Sequence, residues 1–236
     1  MTTKTRAADA AGLPLVLAVD LGGTGIKAEV LDRDLGVVAA GRRDTPRAGG
    51  DDVLDAVVGL GRQLLAQVPG ERRPDRVGLA VPGIVDARSG TGVLSANLGW
   101  RDAPVAATVA RGLGLPVAIA HDVTVAGLAE HRLGAGRGSD DVVVAVVGTG
   151  ISAAVVAGGR LITGGVGQAG ELGHVVVRPG GPRCGCGRTG CLESVASAAA
   201  IARRYTELSG RDVDGALGVH ARLGRDVVAD RVWSDA

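Results

Sequence analysis

The chain has 236 residues, of which 46% are hydrophobic and 22% are charged, and its net charge at pH 7 is +1. A chain of this length buries one large core or two small ones. The near-zero net charge gives no electrostatic reason to expect binding to nucleic acid or to a membrane. No apolar run has the length of a membrane span, and the N-terminus lacks the apolar region of a secretion signal, so we expect a cytoplasmic globular protein.

The segment LAVDLGGTGIKAEV, residues 17–30, has the pattern of a hairpin with a glycine-rich corner. An apolar, β-prone run precedes the corner, and an alternating apolar and polar segment follows it. The backbone N–H groups and the hydroxyl of such a corner suit a phosphate, and a nearby carboxylate suits its metal ion. A hairpin turn without a ligand is the alternative. The residues concerned are Asp20, Gly22, Gly23, Thr24 and Gly25.

A second segment, residues 142–165, repeats the pattern of residues 15–41. Both contain an apolar run, a Gly-Thr-Gly-Ile turn, a second strand, a short turn and a third strand. We interpret this as an internal repeat of one supersecondary unit, with chance similarity between glycine-rich hairpins as the alternative. The second turn consists of Gly148, Thr149 and Gly150. Two such turns, one from each of two domains, could hold a polyphosphate from both sides.

The region between the repeats has an α/β pattern. Helices are predicted at residues 51–68, 104–114 and 122–134, and buried strands at residues 76–85 and 116–120, the first of them stopped by Pro82-Gly83. We therefore predict two similar α/β domains that face a cleft. Their bounds are residues 15–120 and 121–236, after an N-terminal extension of residues 1–14.

All three cysteines lie in the stretch CGCGRTGC, as Cys184, Cys186 and Cys191, and His174 lies ten residues before the first of them. Three cysteines and one histidine form a closed tetrahedral zinc set of the structural kind. In a cytosolic chain, clustered cysteines bind metal more often than they form disulfides. Three free thiols in a loop are the alternative. A metal with four protein ligands has no open position for catalysis.

Together these motifs resemble the ROK family of sugar kinases, which has the actin-like ATPase fold. The resemblance extends from about Leu15 to Tyr205, and its most specific parts are GELGH, residues 170–174, and CGCGRTGCLE, residues 184–193. DLGGTGIK and the later GTG are similar to the two phosphate motifs of the family. The resemblance implies an enzyme that phosphorylates a hexose or an N-acyl hexosamine with MgATP. Sugar and ATP would be its ligands, and the full-length form would be a dimer or tetramer.

Individual residues of this chain match family positions. By resemblance, Asp122 is the catalytic base, although a helix N-cap is its plain structural role. Glu171, His174 and Glu193 would bind sugar hydroxyls, with His174 also on the zinc, and Asn97 would lie near the sugar. Solvated loop glutamates are the alternative for Glu171 and Glu193. Turn roles are the alternative for Thr24 and Thr149, and a strand-end role is the alternative for Asp20.

Two departures from the family pattern bear on which sugar and which phosphoryl donor the protein uses. His121 precedes Asp122 where the family usually has an asparagine that touches the sugar, and a histidine there can still donate a hydrogen bond. The first turn continues as Gly-Ile-Lys, which is similar to the same turn of the polyphosphate-dependent glucokinases. Those enzymes lack the cysteine cluster, so ATP is the favoured phosphoryl donor. Glucose is the expected sugar, with N-acetylmannosamine, N-acetylglucosamine and fructose as alternatives.

The two ends of the chain bear on rival functions. A ROK transcriptional regulator carries a helix-turn-helix domain before the kinase-like part, and about fourteen residues precede the first strand here, too few for that domain. An inactive sugar-binding fragment is the second rival.

An amphipathic pattern with Val227, Val228 and Val232 continues to the last residue without a stop signal, and Trp233 is expected to be exposed. We therefore expect an incomplete second domain that binds adenine nucleotide poorly.

Overall fold

The computed structural model describes residues 14–165 and 167–236. The predicted N-terminal extension thus lies outside the described residues, apart from Pro14. Contacts divide the chain into two compact units, of which the first ends at Val125 and the second begins at Ala126. The domain bounds predicted from the sequence, 15–120 and 121–236, stay a prediction.

The first unit is built on a five-stranded mixed sheet in the order β3-β2-β1-β4-β8. Strands β1, β2 and β3 form an antiparallel meander, and β4 and β8 run parallel to β1. The bounds are Leu15–Leu21 for β1, Gly25–Leu31 for β2, Val37–Asp44 for β3, Pro74–Val81 for β4 and Val117–His121 for β8. The strand predicted at residues 76–85 is interrupted at Pro82 and Gly83, so β4 ends at Val81 and residues 84–86 belong to a separate short strand.

Two helices pack on one face of this sheet, because the apolar residues along one side of each helix contact the buried side chains of the sheet. Helix α1, Asp51–Leu65, buries a stripe that includes Val53, Leu60 and Leu64, and helix α2, Val105–Leu113, buries Val105 and Val109. Helix α2 ends at Gly114, whose left-handed backbone is a common helix stop. A small antiparallel sheet lies between these elements in the chain: β5 Ile84–Asp86, β6 Thr91–Ser95 and β7 Trp100–Ala103.

The second unit contains a three-stranded antiparallel sheet in the order β11-β10-β9. Its strands are β9 Val142–Val147, β10 Ile151–Ala157 and β11 Arg160–Ile162. Helix α3, Asp122–Leu133, begins at the end of the first unit, and its Gly127 packs against Ala154 of β10 because neither residue has a large side chain. A single 3-10 turn, Leu172–His174, follows the sheet.

Four helices complete the second unit: α4 Leu192–Ala196, α5 Ala198–Ser209, α6 Gly215–His220 and α7 Val227–Asp235. The last three enclose a small core of Ile201, Tyr205, Val219, Ala229 and Val232. The predicted C-terminal amphipathic pattern is therefore a helix, and Trp233 on it is 37% exposed and lies edge-on to the ring of His220.

The α/β class predicted from the sequence is confirmed. Each unit contains a three-stranded antiparallel meander, and in each a glycine turn joins the first strand of the meander to the second. Among the described residues, no helix combines the length and the apolar character that a membrane span requires.

Candidate functional site

The first glycine turn joins β1 to β2 and is closed by its own backbone. The N–H of Gly22 donates to the carbonyl oxygen of Gly25 at 2.9 Å. Gly23 and Thr24, at the tip, are exposed. Within the part of the chain that the structure describes, their N–H groups have no hydrogen-bond acceptor. The tip can therefore offer donors to an anion.

Two other predicted residues lie close to this turn. A Cβ placed on Gly23 would lie 3.6 Å from the Cβ of Asn97, so the loop that contains Asn97 adjoins the tip of the turn. Asp20 is exposed near the end of β1, where it pairs in register with Lys27 of β2. The structure thus brings a carboxylate, an amide side chain and free backbone donors to one end of the sheet.

His121 and Asp122 stand at the carboxyl end of β8, where helix α3 begins. Because β1, β4 and β8 are parallel, this end lies at the same sheet edge as the first glycine turn, two strand spacings of about 4.8 Å away. The Oδ1 atom of Asp122 accepts the N–H of Val123 at 2.7 Å and lies 3.2 Å from Nε2 of His121. The Oδ2 atom is left for another partner.

The second glycine turn, between β9 and β10, is supported from outside its hairpin. The N–H of Gly148 donates to the carbonyl of Gly150 at 2.9 Å, and the N–H of Ala198 donates to the carbonyl of Gly148 at 2.8 Å. The carboxylate of Glu193 accepts the N–H of Ile151 at 3.1 Å. A Cβ on Gly150 would collide with that carboxylate. A larger residue at this position would therefore displace the Glu193 carboxylate from the turn.

Glu171 directly precedes the 3-10 turn of the second unit, and His174 is the last residue of that turn. The N–H of His174 donates to the carbonyl of Glu171 at 3.1 Å, and its Nε2 lies 3.8 Å from Oε2 of Glu171. The other ring nitrogen, Nδ1, faces Cys184 at 3.6 Å. The imidazole therefore lies between a half-exposed carboxylate and the cysteine cluster.

The four predicted metal ligands converge in the second unit. The ligand atoms of His174, Cys184, Cys186 and Cys191 all lie within 4.8 Å of one another. The Sγ atoms of Cys186 and Cys191 are 3.7 Å apart, far longer than a disulfide of about 2.05 Å. Around a tetrahedral ion with bonds of about 2.3 Å to sulfur and about 2.0 Å to nitrogen, ligand atoms lie about 3.5–3.8 Å apart. The spacing and donor chemistry of this group fit such an ion.

Comparison with known proteins shows the family of the chain. The model of the ROK family matches residues 16–234. The chain belongs to the ROK family. It is 39% identical over 193 residues to the glucokinase of Thermotoga maritima, a match that covers 81% of this chain and 60% of that protein. The chain therefore spans less than two thirds of the length of this relative.

Two further similar proteins broaden the comparison. The N-acetylmannosamine kinase of Shigella flexneri is 36% identical over 200 residues, which cover 84% of this chain and 66% of that protein. The crystal structure of a ROK hexokinase from Thermus thermophilus superposes with a TM-score of 0.78 at 36% identity, covering 92% of this chain and 72% of that one. The similarity thus includes both units and their meanders.

The thiols of the cysteine cluster differ in acidity. The backbone N–H and the side chain of Arg188 lower the pKa of the Cys186 thiol to about 6. Burial raises the pKa of the Cys191 thiol to about 11. At neutral pH a thiolate therefore lies beside a protonated thiol, and binding of a metal ion would release the remaining protons.

Three residues that the sequence analysis did not single out contact the predicted site residues. Thr45 contacts the first turn, Ala198 contacts the second, and Arg188 contacts Cys186. Arg188 lies within the cysteine motif, so its position in the sequence could have indicated this contact. The other two form bonds with residues far away in the sequence, which no local pattern reveals.

Proposed function

We propose that this ROK chain carries out ATP-dependent phosphorylation of a hexose hydroxyl, with glucose converted to glucose 6-phosphate. The observation that supports the proposal most strongly is the position of Asp122, at the sheet edge that also carries the first glycine turn. A carboxylate at that edge can take a proton while backbone donors hold a phosphate. Membership of the ROK family and the glucokinase relative support the same reaction.

Phosphoryl transfer depends on positioning and charge neutralisation. The sugar hydroxyl oxygen attacks the γ-phosphorus of ATP, its proton passes to Asp122, and the bond from the γ-phosphorus to the bridging oxygen breaks to release ADP. In this scheme the N–H of Val123 and Nε2 of His121 hold Oδ1, so that Oδ2 receives the proton. Mg²⁺, when bound with ATP, neutralises phosphate charge, and Asp20 is the carboxylate that we assign to it.

The remaining predicted residues divide between the phosphates and the sugar. We assign the phosphates to the two exposed turn tips, Thr24 and Thr149 with their flanking glycines. Asn97 adjoins the first turn, and Glu171 and His174 adjoin one another, which suits the sugar role assigned to each. Glu193 is held by the N–H of Ile151, so its carboxylate would face the sugar with one oxygen already bonded.

We propose that the metal held by His174, Cys184, Cys186 and Cys191 is zinc. All four ligands come from the protein, so the ion would have a structural role. It would fix His174 and the start of α4, which contains Glu193. The cluster would thereby set the spacing of the sugar-binding carboxylates.

An N-acylated hexosamine is the second candidate substrate. The N-acetylmannosamine kinase relative favours it, and His121 alters the position at which the family asparagine meets the sugar ring. A sugar-sensing regulator is the candidate of another class, and the presence of Asp122 favours the kinase over it. The assay described next, together with sugar binding, separates the three candidate functions.

A coupled assay with MgATP and a panel of glucose, N-acetylmannosamine, N-acetylglucosamine and fructose tests the proposal. We expect sugar-dependent formation of ADP, highest with glucose. Highest turnover with N-acetylmannosamine would move the assignment to the second candidate. Sugar binding without turnover would favour the regulator or an inactive sugar-binding protein. Replacing ATP by polyphosphate checks the donor.

A further inference from the structure

Thr45 is a buried polar residue that the functional assignments above do not use. It follows β3 directly, and only 8% of it is exposed. Strand β3 pairs with β2 up to the register of Asp44 with Gly25, so Thr45 lies beside the first glycine turn instead of beside a strand. A buried hydroxyl requires a hydrogen-bond partner.

Thr45 contacts the turn through two donors. Its Oγ1–H donates to the carbonyl oxygen of Gly22 at 2.7 Å, and its N–H donates to the carbonyl oxygen of Thr24 at 3.2 Å. Two of the carbonyl groups in the turn are thus drawn towards one residue. These bonds come in addition to the one from Gly22 to Gly25 that closes the hairpin.

The direction of these carbonyls fixes the direction of the neighbouring N–H groups. In a trans peptide the C=O of one residue and the N–H of the next point to opposite sides. A Gly22 carbonyl that points to Thr45 therefore directs the N–H of Gly23 away from it, and the Thr24 carbonyl does the same for the N–H of Gly25. Carbonyl oxygens would repel a phosphate, whereas N–H groups would bind one.

The segment after Thr45 connects the turn to the Asn97 loop. The N–H of Gly49 donates to the carbonyl of Pro46 at 3.3 Å, and the N–H of Gly50 donates to the carbonyl of Leu98 at 2.8 Å. Leu98 is fully buried, so it anchors the far end of this segment in the core. Residues 45–50 are thereby bonded to the glycine turn at one end and to the Asn97 loop at the other.

We propose that Thr45 is a positioning residue that holds the first glycine turn with its N–H groups directed towards the phosphate of the donor. The inference rests on the proposed function, because the kinase reaction supplies the phosphate. In this role Thr45 does not contact the substrate. It acts through the peptide groups between Gly22 and Gly25, and its hydroxyl is the group on which the orientation depends.

Isosteric substitution separates this role from simple packing. Thr45→Val keeps the shape and the backbone N–H and removes only the hydroxyl, whereas Thr45→Ser keeps the hydroxyl and removes a methyl group. Should T45V not fold, Thr45→Ala removes the same hydroxyl. The probe is Mg²⁺ tripolyphosphate, which presents phosphates without an adenosine group, and glucose is titrated separately by calorimetry.

We expect T45V to raise the Kd for Mg²⁺ tripolyphosphate about threefold to tenfold, the effect of losing one hydrogen bond. The Kd for glucose should change less than about twofold, and T45S should resemble the native protein. A packing role would instead make T45S the more harmful change. Unchanged tripolyphosphate affinity in T45V, or equal losses in T45V and T45S, would overturn the proposal.

Amide hydrogen exchange keeps the inference testable if the proposed function is wrong. A native chain that binds neither tripolyphosphate nor ATP contradicts the kinase proposal, and exchange at Gly22 then decides the role of Thr45. We expect its N–H, bonded to Gly25, to exchange about threefold to tenfold faster in T45V than in T45S. Equal exchange rates in the two variants would show that Thr45 does not hold the turn.

Discussion

The two glycine turns have the same local pattern but different supports. The first is held by Thr45, which extends a strand of the same sheet and bonds to the carbonyls of Gly22 and Thr24. The second is held from outside its sheet. There the N–H of Ala198 bonds to Gly148, and the carboxylate of Glu193 bonds to the N–H next to Gly150.

This difference makes the turns sensitive to different changes. The support of the first turn depends on continuous pairing between β2 and β3. The support of the second depends on α4, which begins directly after Cys191 of the metal cluster. A disturbance of the cluster should therefore reach the second turn and leave the first unchanged.

The largest expected effect comes from a residue that lies in neither turn. Asp122→Asn keeps the size of the side chain and its bond to the N–H of Val123, but removes the proton acceptor. We expect turnover to fall by about two to four powers of ten, the range for losing a general base. Phosphate affinity and the melting temperature should change little.

Steady-state kinetics and calorimetry on D122N provide the check. Near-native turnover would show that Asp122 serves only as the first residue of α3. A large loss of tripolyphosphate affinity with unchanged turnover at saturation would move Asp122 from proton transfer to phosphate binding.

Much of this arrangement could be predicted from the sequence. The two hairpins, the α/β class and the convergence of His174 with the three cysteines depend on local patterns and short spacings, which a sequence displays directly. The supports of the turns could not be predicted. The bond from Thr45 to Gly22 joins residues 23 positions apart, and that from Ile151 to Glu193 joins residues 42 apart. Such pairs are decided by packing of the folded chain.

A second prediction compares two glycines of the same turn. A Cβ at Gly150 would collide with the Glu193 carboxylate, whereas a Cβ at Gly148 would meet no atom within 4 Å. We expect Gly150→Ala to lower the free energy of unfolding by about 1–3 kcal/mol, because the added methyl group displaces the Glu193 carboxylate and leaves the N–H of Ile151 without its acceptor. Gly148→Ala, the matched control, should stay within about 0.5 kcal/mol of the native protein.

Urea denaturation of both variants measures this difference. Equal stabilities of the two alanine variants would contradict the contact between Glu193 and the turn. A loss confined to G150A, together with faster exchange of the Ile151 amide, would sharpen the contrast between the two supports.

A third prediction concerns the metal. Protein purified without chelator should contain one zinc per chain, and Cys186→Ser should release it. Removal of the metal should accelerate amide exchange at Ile151 by about tenfold or more, because α4 loses its anchor, while exchange at Gly22 in the same sample serves as the internal control.

Elemental analysis and exchange mass spectrometry test both parts. Absence of zinc from the native protein would contradict the metal assignment. Equal acceleration at Ile151 and Gly22 would contradict the separate supports, since it would indicate general loosening of the chain.

The central claim is that this chain transfers a phosphoryl group to a sugar, and ³¹P NMR of a mixture with glucose and MgATP tests it most directly. The spectrum distinguishes transfer to a sugar from hydrolysis of ATP. We predict that a sugar phosphomonoester signal appears together with an equal amount of ADP, and that D122N produces neither on the same time scale. Unchanged ATP, or ADP accompanied only by inorganic phosphate, would contradict the account.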